Sequence, residues 1–172
     1  MDTHVPQHID RGLLSLYLSD HLSGATAGVD RIKRMAKRYS DTPLAPELAT
    51  LVEEIEQDRQ VLVEVINRLG LHRRFYRQVL AAFGEHATRL KFNRRLLTRS
   101  PMSELLELEL MRGAVTAKLA GWEVLTALAP DLGLRTERFE RLCHTAREQR
   151  DTLDGLHARM RASTFRTNEP VH

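Results

Sequence analysis

Cysteine is nearly absent: Cys143 stands alone, so the chain forms no internal disulfide and offers no cysteine-based metal site. Aromatic residues are also scarce, at 5%, which leaves Leu and Ala to fill any interior, as they do in helical bundles. No apolar run is long enough to cross a bilayer, and the opening residues "MDTHVPQHIDRG" carry no apolar signal region. The expected location is therefore the cytoplasm, with no membrane partner. Strand-like alternation, low-complexity tracts and internal repeats are missing too. So is a phosphate-binding loop, because "LSGATAG" follows no strand and lies within a helical pattern.

What is present is helical punctuation. A length of 172 residues suits one domain with a continuous core, with residues 1–9 and 164–172 expected as free termini. A first helix is expected over about 10–39, ending at "SDTPLAP". A second begins near Pro46, where proline suits a first turn, and stops at Gly70. A third covers about 72–98. Ser100 as N-cap and Pro101 then open a fourth, running to about 129, and a fifth spans about 135–163. Each is ~40 Å long at the standard rise, and short joints make neighbours antiparallel. The expected fold is all-α, an antiparallel bundle of five long helices.

This pattern resembles the ferritin-like superfamily, in which two antiparallel hairpins are joined by a crossover running the length of the bundle. On that resemblance the third helix is the crossover, and helices one, two, four and five make the bundle. The segments "YLSDHLSGATAG" and "SPMSELLELELMRGAVTAKLAGW" also look like uncharacterised actinobacterial proteins of similar length, a likeness that implies no activity.

Function has to be sought in polar residues on inward faces. On the first helix, Leu14, Leu18, His21, Ala25, Gly28, Ile32 and Met35 share one stripe, with Tyr17 beside His21 and Asp20 on its shoulder. On the second, Leu48, Leu51, Ile55, Leu62, Val65 and Leu69 point inward together with Asp58, and Glu54 sits at the edge. On the fourth, the expected inward stripe is Met102, Leu106, Gly113, Ala120, Val124 and Ala127. Glu109 lies at its centre, Thr116 and Glu123 close by, and Glu107 and Lys118 opposite. On the fifth, Phe139, Leu142, Ala146, Leu153 and Met160 are joined by Arg150 and His157, while His144 and Glu148 face out.

Matching heights along straight helices brings His21, Asp58 and Glu123 to one level, with Glu109, Arg94 and His157 in a second layer and Arg150 between. Buried charges need partners, so the favoured reading is a set of register-fixing pairs in a structural or protein-interaction bundle, expected as a homodimer, without catalytic residues or cofactor. An alternative is a degenerate, oxidase-like metal site for iron or manganese, using Tyr17, Asp20, His21, Asp58 and Glu123. Against a di-iron centre, the Glu-x-x-His pairs of ferritin-like sites are missing. Gly24, Ala25 and Gly28 beside His21 require either close helix approach or room for a ligand, since mid-helix glycine costs ~1 kcal/mol relative to alanine.

The net charge of +3 conceals a division. Residues 70–100 carry eight Arg and Lys against Glu85 alone, while residues 44–69 are acidic. Arg73, Arg77, Lys91 and Arg95 form a stripe suited to an anion or nucleic acid, although no aromatic residue interleaves it. Pairing with acidic helices is the simpler expectation for that stripe.

Overall fold

The computed structural model describes residues 5–71 and 101–166. Among the described residues there are four helices: α1 (Arg11–Arg38), α2 (Ala45–Arg68), α3 (Pro101–Leu128) and α4 (Thr136–Thr164). This corrects the expectation of five long helices. The expected third, residues 72–98, lies outside the described residues, as do Arg73, Arg77, Lys91, Arg94 and Arg95.

Local chemistry accounts for the helix ends. The Asp10 carboxylate caps α1 by accepting from the backbone N–H groups of Gly12 and Leu13 at 2.8 and 3.0 Å. Lys37 and Arg38 lie at its C-terminus, where the helix dipole favours cations. Gly70 closes α2 in the left-handed region, at φ 61°, and the Leu71 N–H reaches back to the Ile66 carbonyl. Gly133, at φ 63°, turns the chain between α3 and α4 in the same way.

Side-chain pairs set the directions. Arg11 with the Gly70 carbonyl, and Lys33 with Glu56, make α1 and α2 antiparallel. Glu123 with Arg147, Arg112 with Asp154, and Glu109 with His157 do the same for α3 and α4. Tyr39 meets Glu107 at the far end of α1, and Gly121 faces His21 near its start, so α1 and α3 are antiparallel as well. Glu64 with Arg138 and Glu47 with Arg159 tie α2 to α4. Around the bundle the order is therefore α1, α2, α4, α3. The diagonal partners α2 and α3 run parallel, and Leu71 and Pro101 lie at opposite ends.

The core divides into two apolar clusters. One holds Leu14, Leu18, Leu22, Leu62, Val65, Leu119, Trp122, Phe139 and Ala146; the other holds Val29, Ile32, Met35, Leu48, Ile55, Leu108, Met111, Val115 and Leu153. Val5 is buried and seals the first cluster, with Ile9 packed against it.

The largest departure from expectation is the rotation of α3. Leu105, Leu108, Met111, Val115, Leu119, Trp122, Leu125 and Ala129 are buried, whereas Gly113, Thr116, Ala120, Glu123, Val124 and Ala127 are exposed. This helix has two apolar stripes of the same period. Turning the Leu, Met and Trp stripe inward removes far more apolar area from water than burying Gly, Ala and Val, at about 25 cal/mol per Å².

Candidate functional site

Between the two clusters the core is polar. Asp58 on α2, Lys118 on α3 and Gln149 on α4 meet in the middle of the bundle. The Lys118 ammonium donates to Asp58 Oδ2 at 2.5 Å and also to Gln149 Oε1. The Gln149 amide donates to the same Asp58 oxygen at 3.2 Å, closing a ring of three hydrogen bonds. The side chains of Asp58 and Lys118 are 6% and 14% exposed. Burial pulls the Lys118 pKa below its ordinary value, opposed by the charges of Asp58 and Glu54. A charge-assisted, nearly dry pair of this kind holds because each partner satisfies the other.

The expected constellation of His21, Asp58 and Glu123 is corrected by this geometry. Because α3 presents its other face, Lys118 rather than Glu123 reaches Asp58, and a cation of the protein itself stands where a metal was considered. Glu123 lies on the surface, bound to Arg147 at 2.9 Å. Arg150 pairs with its neighbour Asp151 at 3.5 Å, and Gln149 points inward in its place. His157 does meet Glu109, at 3.2 Å, although Glu109 is exposed rather than central. Among the described residues no group of three or more His, Cys, Asp or Glu side chains could hold a metal ion.

His21 occupies a separate notch between α1 and α3. Its ring packs on Tyr17, with centroids 4.4 Å apart, and against Gly121. A Cβ at Gly121 would sit 2.9 Å from His21 Nδ1, so only glycine leaves room for the imidazole. Burial lowers the His21 pKa, with Asp20 opposing, which favours a neutral ring. Burial likewise raises the Tyr17 phenol. The close approach expected of Gly24 and Gly28 belongs instead to Gly121: among the described residues nothing lies within 4 Å of where their Cβ atoms would be.

Tyr39 is fully buried and donates to Glu107 at 2.7 Å, while Arg38 holds the other Glu107 oxygen at 3.3 Å. Burial and that carboxylate push the Tyr39 pKa far upward. The Trp122 indole N–H is buried without a partner among the described residues. Near the α3–α4 turn, a cleft of about 400 Å³ is lined by Glu64, Arg68, Arg135 and Arg138 over Val65, Leu134 and Phe139, with Arg138 bound to Glu64 at 2.7 Å.

Lys118 and Gln149 escaped the sequence reading for different reasons. Lys118 follows Val115 by three residues and belongs to the Leu stripe, a signal usable only once that stripe is chosen as the inner one. Gln149 fits the stripe from Ala146 to Leu153 as well as Arg150 does, and an amide is cheaper to bury than a guanidinium. Comparison with protein-family models, curated proteins and solved structures finds no match.

Proposed function

We propose that this chain is a non-catalytic helical bundle with a structural or protein-interaction role, the cytoplasm being its proposed compartment. The observation that supports this reading is the closure of the Asp58–Lys118–Gln149 ring: a buried carboxylate and a nearly buried ammonium spend their hydrogen bonds on one another and on the Gln149 amide. Such a ring joins three helices and penalises any sliding of one past another, because a shift by one turn would leave a buried charge unpaired. Register is what it supplies.

The test is the double variant Asp58→Leu/Lys118→Leu. A purely structural pair can be replaced by apolar residues with little loss, so a cooperative, helical protein of equal or higher Tm is expected. Metal content of untagged protein, by mass spectrometry before and after iron or manganese loading, supplies the opposing arm. About one equivalent retained by the parent and lost in Asp58→Ala would overturn the reading.

A further inference from the structure

The cleft beside the α3–α4 turn brings together three segments of the chain. The last turns of α2 supply Glu64, Val65 and Arg68, the joint supplies Leu134 and Arg135, and the start of α4 supplies Arg138 and Phe139. Two contacts hold its walls in place: Arg138 donates to Glu64 at 2.7 Å, and Arg68 donates to the Gly133 carbonyl at 3.4 Å. The left-handed turn at Gly133 lets the chain double back, and the Leu134 N–H bonds the Ala129 carbonyl at 2.9 Å. Leu134 is thereby set half-buried against the first apolar cluster, over Val65 and Phe139. At about 400 Å³ the cleft has the size of a site for a small molecule, for which ~300–1,000 Å³ is usual.

Charge names the ligand. Three guanidinium groups face one carboxylate, so the lining is positive. Helix ends do not decide this sign, because α2 ends where α4 begins and their dipoles oppose. Arg138 engages Glu64 through one of its five N–H donors. Arg135 is 80% exposed and meets Glu137 only at 3.9 Å, a contact that holds neither side chain firmly. We propose that this cleft binds a small phosphate monoester with an aromatic or aliphatic body, the phosphate on Arg135 and Arg138 and the body on Leu134. A guanidinium fork pairs with phosphate oxygens through two parallel bonds. A monoester carries close to two negative charges above about pH 7, which matches the positive excess of the lining. The inference goes beyond the interaction role proposed above and does not depend on it.

Exposure sets the strength. Glu64, Arg68 and Arg135 all reach solvent, so water and salt screen their charges. For phenyl phosphate a dissociation constant on the order of 0.1–1 mM is expected at low salt.

Titration of the isotope-labelled full chain with phenyl phosphate, followed by amide NMR, tests this directly. Saturable shifts are expected, confined to the amides around residues 64–68 and 134–139. Arg135→Gln should weaken binding by about 5-fold or more with unchanged Tm, since its side chain is the most exposed in the cleft. Glu64→Gln removes the one carboxylate of the lining and should tighten binding by about 3-fold, a gain that a merely structural Glu64–Arg138 pair would not give. Inorganic phosphate should bind more weakly than phenyl phosphate, and benzyl alcohol not at all. No saturable shift up to about 10 mM, shifts centred elsewhere, or an Arg135→Gln variant that binds like the parent would overturn the proposal. So would weaker binding in Glu64→Gln. Equal affinity for inorganic phosphate would overturn the part assigned to Leu134. Phosphatidic acid presents the same group on a membrane. Vesicles containing it that bind the chain, where phenyl phosphate does not, would overturn the small-molecule assignment.

Discussion

Two polar residues interrupt otherwise apolar stripes, Asp58 on α2 and His21 on α1, and α3 treats them in opposite ways. To Asp58 it extends Lys118, and Gln149 from α4 completes a closed ring. To His21, one turn further along, it offers Gly121 and no hydrogen-bonding side chain. The difference follows from charge. A carboxylate in the interior must keep a counter-charge, whereas an imidazole can shed its proton and be packed as a flat, weakly polar ring. One site is held by electrostatics and the other by fit.

The sharpest way to break that contrast is to remove one member of the ring. Lys118→Met leaves Asp58 buried and unpaired and should cost ~3–5 kcal/mol, read from urea unfolding. Asp58→Leu in the Lys118→Met background should recover most of that loss. A smaller effect is expected at the notch: Gly121→Ala drives a Cβ into the His21 ring and should cost ~1–3 kcal/mol. Adding His21→Ala should remove the clash, so the two changes together should destabilise less than their sum.

Smaller still, Gly28→Ala should stabilise by ~0.5–1 kcal/mol, since its Cβ meets nothing within 4 Å among the described residues and α1 gains helix propensity. Gly28 is itself buried, and a loss of Tm instead would show that what covers it leaves no room for a methyl group. The least effect is in pH. The His21 pKa is depressed in the folded state, so the unfolded chain binds more protons between that value and about 6.5. This contribution is present above pH 6.5 and is lost as the pH falls through the folded pKa. Titration of the His21 ring by NMR should give a midpoint below 6.5, and His21→Leu should flatten this part of the stability profile.

Much of α1 and α2 was legible because each has a single apolar stripe. Leu14, Leu18, Ile32 and Met35 are buried where the spacing put them, as are Leu48, Leu51, Ile55, Leu62 and Val65. Asp58 on the inner face was equally readable. The fourth expected helix offered two stripes, and spacing could not rank them. Choosing the one with Gly113, Ala120 and Val124 sent Lys118 outward and Glu123 inward, so Glu123 rather than Lys118 was placed at the level of Asp58. The same error put Gly113, Ala120, Val124 and Ala127 in the core, where the structure leaves them exposed.

The sequence by itself determined where the described helices begin and end. Asp10, Pro46, Gly70 and Pro101 act on groups within a few residues of themselves, through caps, fixed φ angles and a left-handed turn, and need no distant contact to do so. Only the tertiary structure decided which face of α3 turns inward, which cation meets Asp58 and which glycine admits His21. Those outcomes depend on how much area each face can bury against three other helices at once. That quantity exists only after the helices have packed.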